Sequence, residues 1–363
     1  MSKVLILVNH DTAITYLRME LLNRLLSEGH TVAIACPRGK HVDTFMDMGC
    51  EFYELTLKRH GINPFHELTL LSDYYKLIKR IKPQAVLSFS IKPNIYGGLA
   101  AAMCNVPCFS NVTGLGITIQ SKHIVSFITK PLYKLGLSKA KTVFVQNTDN
   151  LAFLQKKRMV SDNYHLLPGS GVNLNRFPYV PYPEDDEILR LLVVGRITRD
   201  KGIGEILAAA KILQNRGKKV KIRLLGYYDE DYQREVEVAV QTTCIEYCGY
   251  QEDVQPYLAD CHALLHASYH EGMANALLEA ASTGRPILAT RIPGCREAFD
   301  EGISGLGFDV KNPESLCAAV EKFIALPREK REEMGKRGRE KMEREFDRTI
   351  VIDAYMEELS AVL

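Results

Sequence analysis

The sequence has 363 residues, of which 46% are hydrophobic and 25% are charged. A chain of this length exceeds one ordinary hydrophobic core, so we expect two domains of a soluble enzyme. No stretch approaches the roughly 20 apolar residues of a membrane-spanning helix. The nine cysteines lack the spacing of a zinc site, which favours a protein without bound metal in a reducing cytoplasm.

The net charge of +2 conceals an uneven distribution of charge. Residues 1–178 carry 21 Lys and Arg against 11 Asp and Glu, a net charge of +10, whereas the remainder carries 25 against 33, a net charge of −8. This asymmetry predicts that the first half meets an anionic partner, such as a membrane surface or a diphosphate. Nucleic acid is disfavoured because no aromatic-rich basic platform accompanies the charge. A chance distribution of solvated charge is the remaining alternative.

Short runs of Val, Ile and Leu alternate with helical patterns along the chain, which is typical of parallel sheets covered by helices. The first half contains seven predicted strands: KVLILVN, TVAIAC, EFYELTL, AVLSFS, CFSNV, TVFVQN and YHLLP. The segment Phe177 to Pro183 contains three prolines and is the predicted linker. Five further predicted strands follow it: LRLLVVG, KIRLLG, IEYCG, HALLHAS and PILAT.

These elements predict an α/β protein of two doubly wound, Rossmann-like domains that face each other across a cleft. The predicted domains are residues 1–178 and 179–345, and a helix over 346–363 is predicted to cross back to the first domain. Ligands of such sheets bind beyond the C-terminal ends of the strands, so the loops at those ends are predicted to contain the binding residues.

The loop after LRLLVV reads Gly195-Arg196-Ile197-Thr198-Arg199-Asp200-Lys201-Gly202 and precedes a helical run. A diphosphate needs cations at its non-bridging oxygens. Arg196 and Lys201 supply two of them beside the positive end of a helix. Taken alone, the pattern equally fits a surface loop, because exposed Arg and Lys are common.

The loop after HALLHA runs from Ser268 to Asn275 and leads into the helical run ALLEAASTG. The free N–H groups at the start of that helix are suited to a phosphate, and Glu279 within it is suited to two vicinal ribose hydroxyls. Glu271, in the loop, is predicted to lie against a sugar. A third loop, around Tyr250, is predicted either to face a nucleobase edge or to be a plain exposed turn.

In combination, GRITRDKG, GYQEDV, EGMANALLE, PILATRIPGCREAF and LLPGSGVNLNRF resemble glycosyltransferase family 4, the retaining enzymes of GT-B fold. The resemblance spans nearly the whole chain. It implies that Arg196 and Lys201 bind the diphosphate of a donor nucleotide sugar, that Glu279 binds its ribose, and that Glu271 holds the sugar near the reacting carbon. The remaining predicted donor-binding residues are Tyr250, Gly272, Met273, Ala274, Asn275 and Leu278. Met273 and Ala274 stand where many relatives carry Phe and Gly, and neither change removes a charge.

The first half resembles, in Asn9 to Arg18, SFSIKPNIYGGLAA and NVTGLG, the subgroup that extends glycans on undecaprenyl diphosphate for capsule, O-antigen or protein glycosylation. The implied acceptor is therefore a polyprenyl-diphosphate-linked glycan. Arg18 and Lys92 are its predicted diphosphate ligands, or else ordinary surface charges. Relatives often present a histidine near the transferred sugar, and His10, His60 and His123 are all candidates. His10, just beyond the first strand, is the best placed and is either the predicted catalytic histidine or a capped loop residue.

Residues 117–141 combine an apolar stripe, Ile124, Phe127, Ile128 and Leu135, with Lys122, His123, Lys130, Lys134, Lys139 and Lys141. Such a helix is predicted to lie on the anionic inner face of the plasma membrane, or else to be an ordinary core-facing helix.

The predicted function is the transfer of a hexose or N-acetylhexosamine from a UDP-sugar, with retention of configuration and without a metal. Arg196, Lys201 and the helix start stabilise the leaving diphosphate. One alternative is a sugar-nucleotide epimerase of the same fold, which needs acid and base groups in place of an acceptor site. Another is a catalytically silent partner that binds a nucleotide sugar for another transferase. The sequence leaves the oligomeric state open.

Overall fold

A computed structural model describes residues 2–57, 64–115, 124–184 and 187–363. It divides into two compact units, one of Met1–Ser170 with Thr349–Leu363 and one of Gly171–Arg348. Among the described residues, no helix has the length and apolarity needed to cross a membrane.

The first unit contains a seven-stranded parallel sheet in the order β3-β2-β1-β4-β5-β6-β7. Strands β1, β2, β4, β5 and β6 are buried on both faces, which explains why they read as largely apolar runs. All seven strands predicted from the first half are present. Their bounds are β1 Lys3–Leu7, β2 Thr31–Cys36, β3 Glu51–Glu54, β4 Ala85–Phe89, β5 Cys108–Val112, β6 Thr142–Val145 and β7 Tyr164–Leu166.

Helices cover both faces of this sheet and bury a separate hydrophobic cluster on each. One face carries α4 Pro64–Ile81, a π-helical turn Pro93–Gly97 that continues into α5 Gly98–Met103, α6 Ile124–Ser138 and α7 Thr148–Lys156. The other carries α1 Thr12–Leu17, α2 Met19–Ser27 and α3 Val42–Asp47.

Helix α14, Arg348–Ser360, comes from the far end of the sequence and completes that second face. Its Tyr355 and Leu359 are buried, and the Tyr355 ring packs on Phe144 at a centroid distance of 4.5 Å. Burying side chains of this size stabilises by about 1.5–3 kcal/mol each. The first unit therefore depends on a segment that follows the whole of the second.

The second unit contains a six-stranded parallel sheet in the order β10-β9-β8-β11-β12-β13. Five of its strands coincide with predictions: β8 Leu189–Val194, β9 Val220–Leu225, β10 Ile245–Gly249, β11 Ala263–His266 and β12 Ile287–Thr290. The prediction missed β13, Gly305–Phe308, which pairs in parallel with β12. Its sequence, GLGF, alternates glycine with a hydrophobic residue and is too short to show a clear period.

The helices of this unit again cover both faces of the sheet. They are α8 Ile203–Asn215, α9 Gln233–Thr242, α10 Gln255–Asp260, α11 Asn275–Ser282, α12 Pro313–Ile324 and α13 Arg328–Lys341, with 3-10 turns at Arg199–Lys201 and Arg296–Ala298 and a π-helical turn at Met342–Phe346.

The proline-rich segment Phe177 to Pro183, the predicted linker, lies within the second unit. The buried Arg285 guanidinium donates hydrogen bonds to the carbonyl oxygens of Val180 and Pro181, at 3.1 and 3.0 Å. Ser282 Oγ donates to the Phe177 carbonyl oxygen at 2.6 Å. These bonds fix the segment to the surface of its own unit.

Candidate active site

The strand order of the second sheet reverses between β8 and β11, which are direct neighbours. At such a point the loops that leave the two carboxyl ends diverge and open a crevice for ligands. The loop after β8 contains Arg196 and Lys201, and the loop after β11 contains Glu271. The topology thus brings together the two loops that the sequence singled out.

Glu271 is the centre of a buried polar cluster at this crevice. Its Oε1 accepts a hydrogen bond from Lys201 Nζ and lies 3.0 Å from Nε2 of His266, the last residue of β11. The side chains of His266 and Glu271 are only 6% and 13% exposed. Lys201 and Glu271 were predicted, whereas His266 was not, because within HALLHAS it reads as one more position of a buried strand.

The electrostatics of the cluster favour an ionised Glu271. Burial alone would raise the pKa of this carboxyl, but the charge of Lys201 and the hydrogen bond from His266 outweigh burial and hold the pKa well below its ordinary value. Because an ionised carboxylate only accepts hydrogen bonds, the His266 Nε2 atom facing it carries a proton.

Two glycines hold the loops of this cluster in place. Gly202 has φ +69°, and a Cβ there would lie 2.2 Å from the Ala267 carbonyl oxygen. Gly294 has φ +83°, and a Cβ there would lie 2.9 Å from Glu271 Cβ. The Gly294 carbonyl oxygen also accepts a 2.8 Å hydrogen bond from the Ala274 N–H. Any side chain at either position would displace a loop that carries Lys201 or Glu271.

Arg196 lies at the more open side of the crevice. Its guanidinium donates a hydrogen bond to the carboxylate of Asp229, from the loop after β9, and the two side chains are 40% and 36% exposed. At this exposure the ion pair contributes little stability. Both cations of the predicted diphosphate site therefore hold a carboxylate partner in this structure, and a diphosphate has to compete for each.

Helix α11 begins directly after the Glu271 loop. Within the described part of the chain, no side chain caps its start at Ala274, so its first N–H groups retain the capacity to bind an anion. The side chains of Met273, Ala274 and Leu278 are buried in the hydrophobic cluster behind the loop. Their predicted contacts with a donor are therefore confined to backbone atoms.

Glu279 lies in the second turn of α11 and is partly buried. Burial raises the pKa of its carboxyl to about 7, against the opposing influence of Arg176 and Arg348. A carboxyl group in this environment gains from partners that hydrogen-bond to its charged form. Vicinal hydroxyls of a ribose are such partners.

A cavity of about 200 Å³ lies beside Arg196 at the ends of β8, β9 and β10. Tyr250 and Tyr227 flank it, with their rings edge to face at a centroid distance of 6.1 Å. The two side chains are 51% and 43% exposed. The position of Tyr250 was predicted, but its aromatic neighbour was not, since Tyr227 comes from a different loop.

Three polar atoms at these loops are buried and, among the described residues, have no hydrogen-bond partner. They are Thr198 Oγ1, Ser268 Oγ and Asn275 Oδ1. Buried polar groups in folded proteins are nearly always paired, so each of these atoms has capacity for a further hydrogen bond. Their positions in the loops after β8 and β11 and at the start of α11 are compatible with a polar ligand there.

The predicted residues of the first unit lie beyond β1 and β4, between which the strand order of that sheet reverses. His10 is exposed and its Nδ1 bonds to the hydroxyl of Thr12. Lys92 Nζ forms a 2.6 Å ion pair with Glu67. Arg18 is 3% exposed and its guanidinium lies 4.8 Å from the Phe89 ring centroid. The roles assigned to them stay predictions, as do those of His60 and His123, which lie outside the described residues.

Of the predicted membrane-binding stretch, residues 117–123 lie outside the described residues. Helix α6 presents Phe127, Ile128 and Leu135 to solvent, at 73%, 52% and 45% exposure. Its core contacts come from a different stripe, Tyr133 and Leu137. The ordinary alternative of a core-facing stripe therefore does not apply to these three side chains.

Comparison with known proteins places each half of the chain in a family. Residues 180–341 match the family described as glycosyl transferases group 1, and residues 3–147 match the family described as glycosyl transferase 4-like.

Two transferases are among the curated relatives that match most of the chain. The N,N'-diacetylbacillosaminyl-diphospho-undecaprenol alpha-1,3-N-acetylgalactosaminyltransferase of Campylobacter jejuni is 25% identical over 85% of this chain and 85% of its own length. The UDP-Gal:alpha-D-GlcNAc-diphosphoundecaprenol alpha-1,3-galactosyltransferase of Escherichia coli is 25% identical over 82% and 80%.

Among solved structures, Anabaena Alr3699/HepE in complex with UDP and glucose superposes with a TM-score of 0.80, at 13% identity and over 100% of both chains. This likeness establishes the fold alone. With one glycosyltransferase family matched by each half and two doubly wound parallel sheets of the same architecture as its solved neighbours, the chain belongs to the glycosyltransferases of GT-B fold, group 1 and 4-like.

Proposed function

We propose that the chain transfers a hexose or N-acetylhexosamine from a UDP-sugar to a glycan linked to undecaprenyl diphosphate, in the assembly of a bacterial surface polysaccharide or glycoprotein glycan. The observation that carries the donor assignment is the pair of cations Arg196 and Lys201 on one loop at the crevice between β8 and β11, next to the start of α11. That combination fits a diphosphate.

The other parts of a UDP-sugar have counterparts around this pair. The cavity flanked by Tyr227 and Tyr250 suits the uracil ring, because aromatic faces stack on bases. Glu279 suits the ribose hydroxyls, and Glu271 suits the hydroxyls of the sugar. UDP as the nucleotide is supported by the HepE complex and by the name of the E. coli relative.

In the reaction, the bond between the anomeric carbon and the β-phosphate oxygen breaks, a bond from that carbon to an acceptor hydroxyl oxygen forms, and the hydroxyl proton passes to the departing phosphate oxygen or to solvent. Negative charge develops on the departing UDP, so Arg196, Lys201 and the N–H groups of α11 lower the barrier by stabilising that charge. His10 is our candidate on the acceptor side, next to the transferred sugar, and no metal is required. Retention of configuration is supported by the alpha linkages in the names of both relatives.

The acceptor assignment is supported by the same two names, both of which specify a diphospho-undecaprenol. The net charge of +10 over residues 1–178 favours an acceptor diphosphate and an anionic lipid surface. Arg18 and Lys92 are the candidate diphosphate ligands. Lys92 first has to exchange Glu67 for the acceptor.

The exposed face of α6 is the proposed contact with the inner face of the plasma membrane. Phe127, Ile128 and Leu135 supply apolar area. Lys134 on the same helix and Lys139 directly after it are both exposed. In vesicle co-sedimentation, F127S/I128S is expected to lose binding to vesicles with anionic lipid, whereas M103S, a change at an exposed apolar side chain of α5, is expected to keep it. Equal binding by both variants contradicts this contact.

The central test is UDP release by the purified protein with a panel of UDP-sugars, with and without polyprenyl-diphosphate-linked glycans. We expect release with one sugar only in the presence of the lipid-linked glycan, and loss of release in K201A but not in K211A, which removes an exposed lysine from the following helix. Release with a soluble acceptor alone contradicts the lipid-linked acceptor. Nucleotide binding without release across all acceptors identifies the silent partner, and interconversion of UDP-sugars without acceptor identifies the epimerase.

A further inference from the structure

The Glu271 carboxylate receives two hydrogen bonds on one oxygen. Lys201 Nζ and His266 Nε2 both reach Oε1. The two donors differ in mobility, because the lysine ammonium sits on a flexible four-carbon chain in a loop, whereas the imidazole sits at the end of a central strand and its side chain is 6% exposed. His266 is the fixed partner and Lys201 the movable one.

Binding of a nucleotide sugar affects the two hydrogen bonds to Glu271 differently. A diphosphate attracts the Lys201 ammonium, and the carboxylate that shared it is then left beside an anionic ligand. Without another donor, Glu271 would be buried and unpaired, which is costly and leaves its side chain free to turn. The His266 N–H does not depend on Lys201 and continues to hold Oε1.

We propose that His266 is a positioning residue that fixes Glu271 while Lys201 serves the leaving diphosphate. The bond to Oε1 sets the plane of the carboxylate and reserves Oε2 for a hydroxyl of the donor sugar. This inference rests on the proposed function, since it takes the ligand to be a nucleotide sugar. It assigns His266 to the sugar portion of that ligand and not to its nucleotide portion.

If His266 has a merely structural role, its replacement is expected to change ligand binding in a different way. Leucine fills nearly the same volume as histidine and suits the apolar end of β11, so H266L preserves packing and removes the N–H. A structural defect in this loop would weaken binding of UDP and of the UDP-sugar alike. A positioning defect leaves UDP binding intact and appears only when the sugar has to be held.

The experiment compares H266L, H266Q and H262L with the wild type, using UDP binding by calorimetry and steady-state turnover of the preferred UDP-sugar. We expect H266L to bind UDP within about twofold of the wild type and to lose about 10- to 100-fold in kcat, the scale of a misplaced reacting group. H266Q, whose side-chain amide restores a donor near the position of Nε2, is expected to recover most of that loss.

His262 provides the matched control, because it is a fully buried histidine just before the opposite end of the same strand, where Nδ1 accepts from the Arg190 N–H at 3.0 Å. H262L is expected to be less stable but to keep its kcat per folded molecule. If H266L does not fold, the contrast between H266Q and E271Q carries the test: turnover has to survive in the first and fall in the second.

A wild-type kcat in H266L overturns the positioning role of His266. Equal losses of UDP affinity and kcat in H266L, with no recovery in H266Q, overturn it as well. Neither result contradicts the proposed function. A wild-type chain that turns over no UDP-sugar overturns the proposed function and this inference with it.

Discussion

Glutamine at position 279 removes a charge that its surroundings disfavour. Burial raises the pKa of the Glu279 carboxyl from 4.5 to about 7, and Arg176 and Arg348 oppose the rise only in part. Glutamine has nearly the same shape and does not ionise. We therefore expect E279Q to be more stable than the wild type above about pH 4.5, where the carboxyl of the unfolded chain is ionised.

The magnitude follows from the two pKa values. The folded state binds this proton more tightly than the unfolded state. The carboxyl therefore does not lower the free energy of unfolding of the wild type below pH 4.5, and it lowers it progressively as the pH rises from 4.5 to 7. At about 1.36 kcal/mol for each pH unit between the two values, the loss is under about 1 kcal/mol at pH 5 and at most about 3.4 kcal/mol above pH 8. Since Glu279 is only partly buried, screening by water reduces the upper figure, and we expect a gain of about 1–3 kcal/mol at pH 8.

Thermal unfolding at pH 5 and pH 8 measures this gain. For a unit of this size, about 1 kcal/mol moves the midpoint by roughly 2–4 °C, so E279Q should melt several degrees above the wild type at pH 8 and close to it at pH 5. E329Q, at an exposed glutamate of the same unit, should match the wild type at both values. The gain should come with weaker UDP-sugar binding, since glutamine is a poorer acceptor for two hydroxyls. A midpoint for E279Q at or below that of the wild type at pH 8, or an equal gain at both pH values, refutes the reasoning.

Three further predictions concern the same unit. G202A forces a Cβ to within 2.2 Å of the Ala267 carbonyl oxygen, so it should lose donor turnover by more than about tenfold, whereas G217A, at φ +63° with open space around it, should cost only about 1–2 kcal/mol of stability and keep turnover. Y227A and Y250A should each weaken UDP binding by about 1–3 kcal/mol in calorimetry. Unchanged affinity in both variants would contradict the placement of the uracil ring in the cavity that they flank. Prolonged treatment with EDTA should leave UDP release unchanged, and activity that disappears and returns with a divalent cation would contradict a metal-free mechanism.

Much of the fold follows from periodicity because buried parallel strands are short apolar runs between helices. Within the described ranges, twelve of the thirteen strands coincide with such runs, and each donor loop follows the strand that the sequence indicated. The exception, Gly305–Phe308, is a strand at the sheet edge whose glycines pack where side chains cannot fit: a Cβ at Gly305 would lie 2.6 Å from the Ile287 carbonyl oxygen. Such a strand is formed by close backbone approach, which a hydropathy pattern does not register.

The ion-pair partners of Arg196 and Lys201 could not be predicted from the sequence. Arg196 pairs with Asp229 and Lys201 with Glu271, across separations of 33 and 70 residues. Only the strand order brings these loops together, and that order is not readable from local pattern. His266 illustrates the limit, because a histidine in a buried strand is indistinguishable by sequence from a core residue until its neighbour is known.

The helix Arg348–Ser360 imposes an order on biosynthesis. The chain leaves the ribosome from its N-terminus, so the sheet of the first unit is made early, while the helix that packs on Phe144 is made only after the whole second unit. Between these two moments the part of that sheet face that α1, α2 and α3 do not cover has no native cover. The second unit, whose sequence is continuous, can finish folding first. Slow translation or a stall between the two units would therefore leave the earlier-made unit exposed to aggregation and to chaperones, and the later-made one already complete.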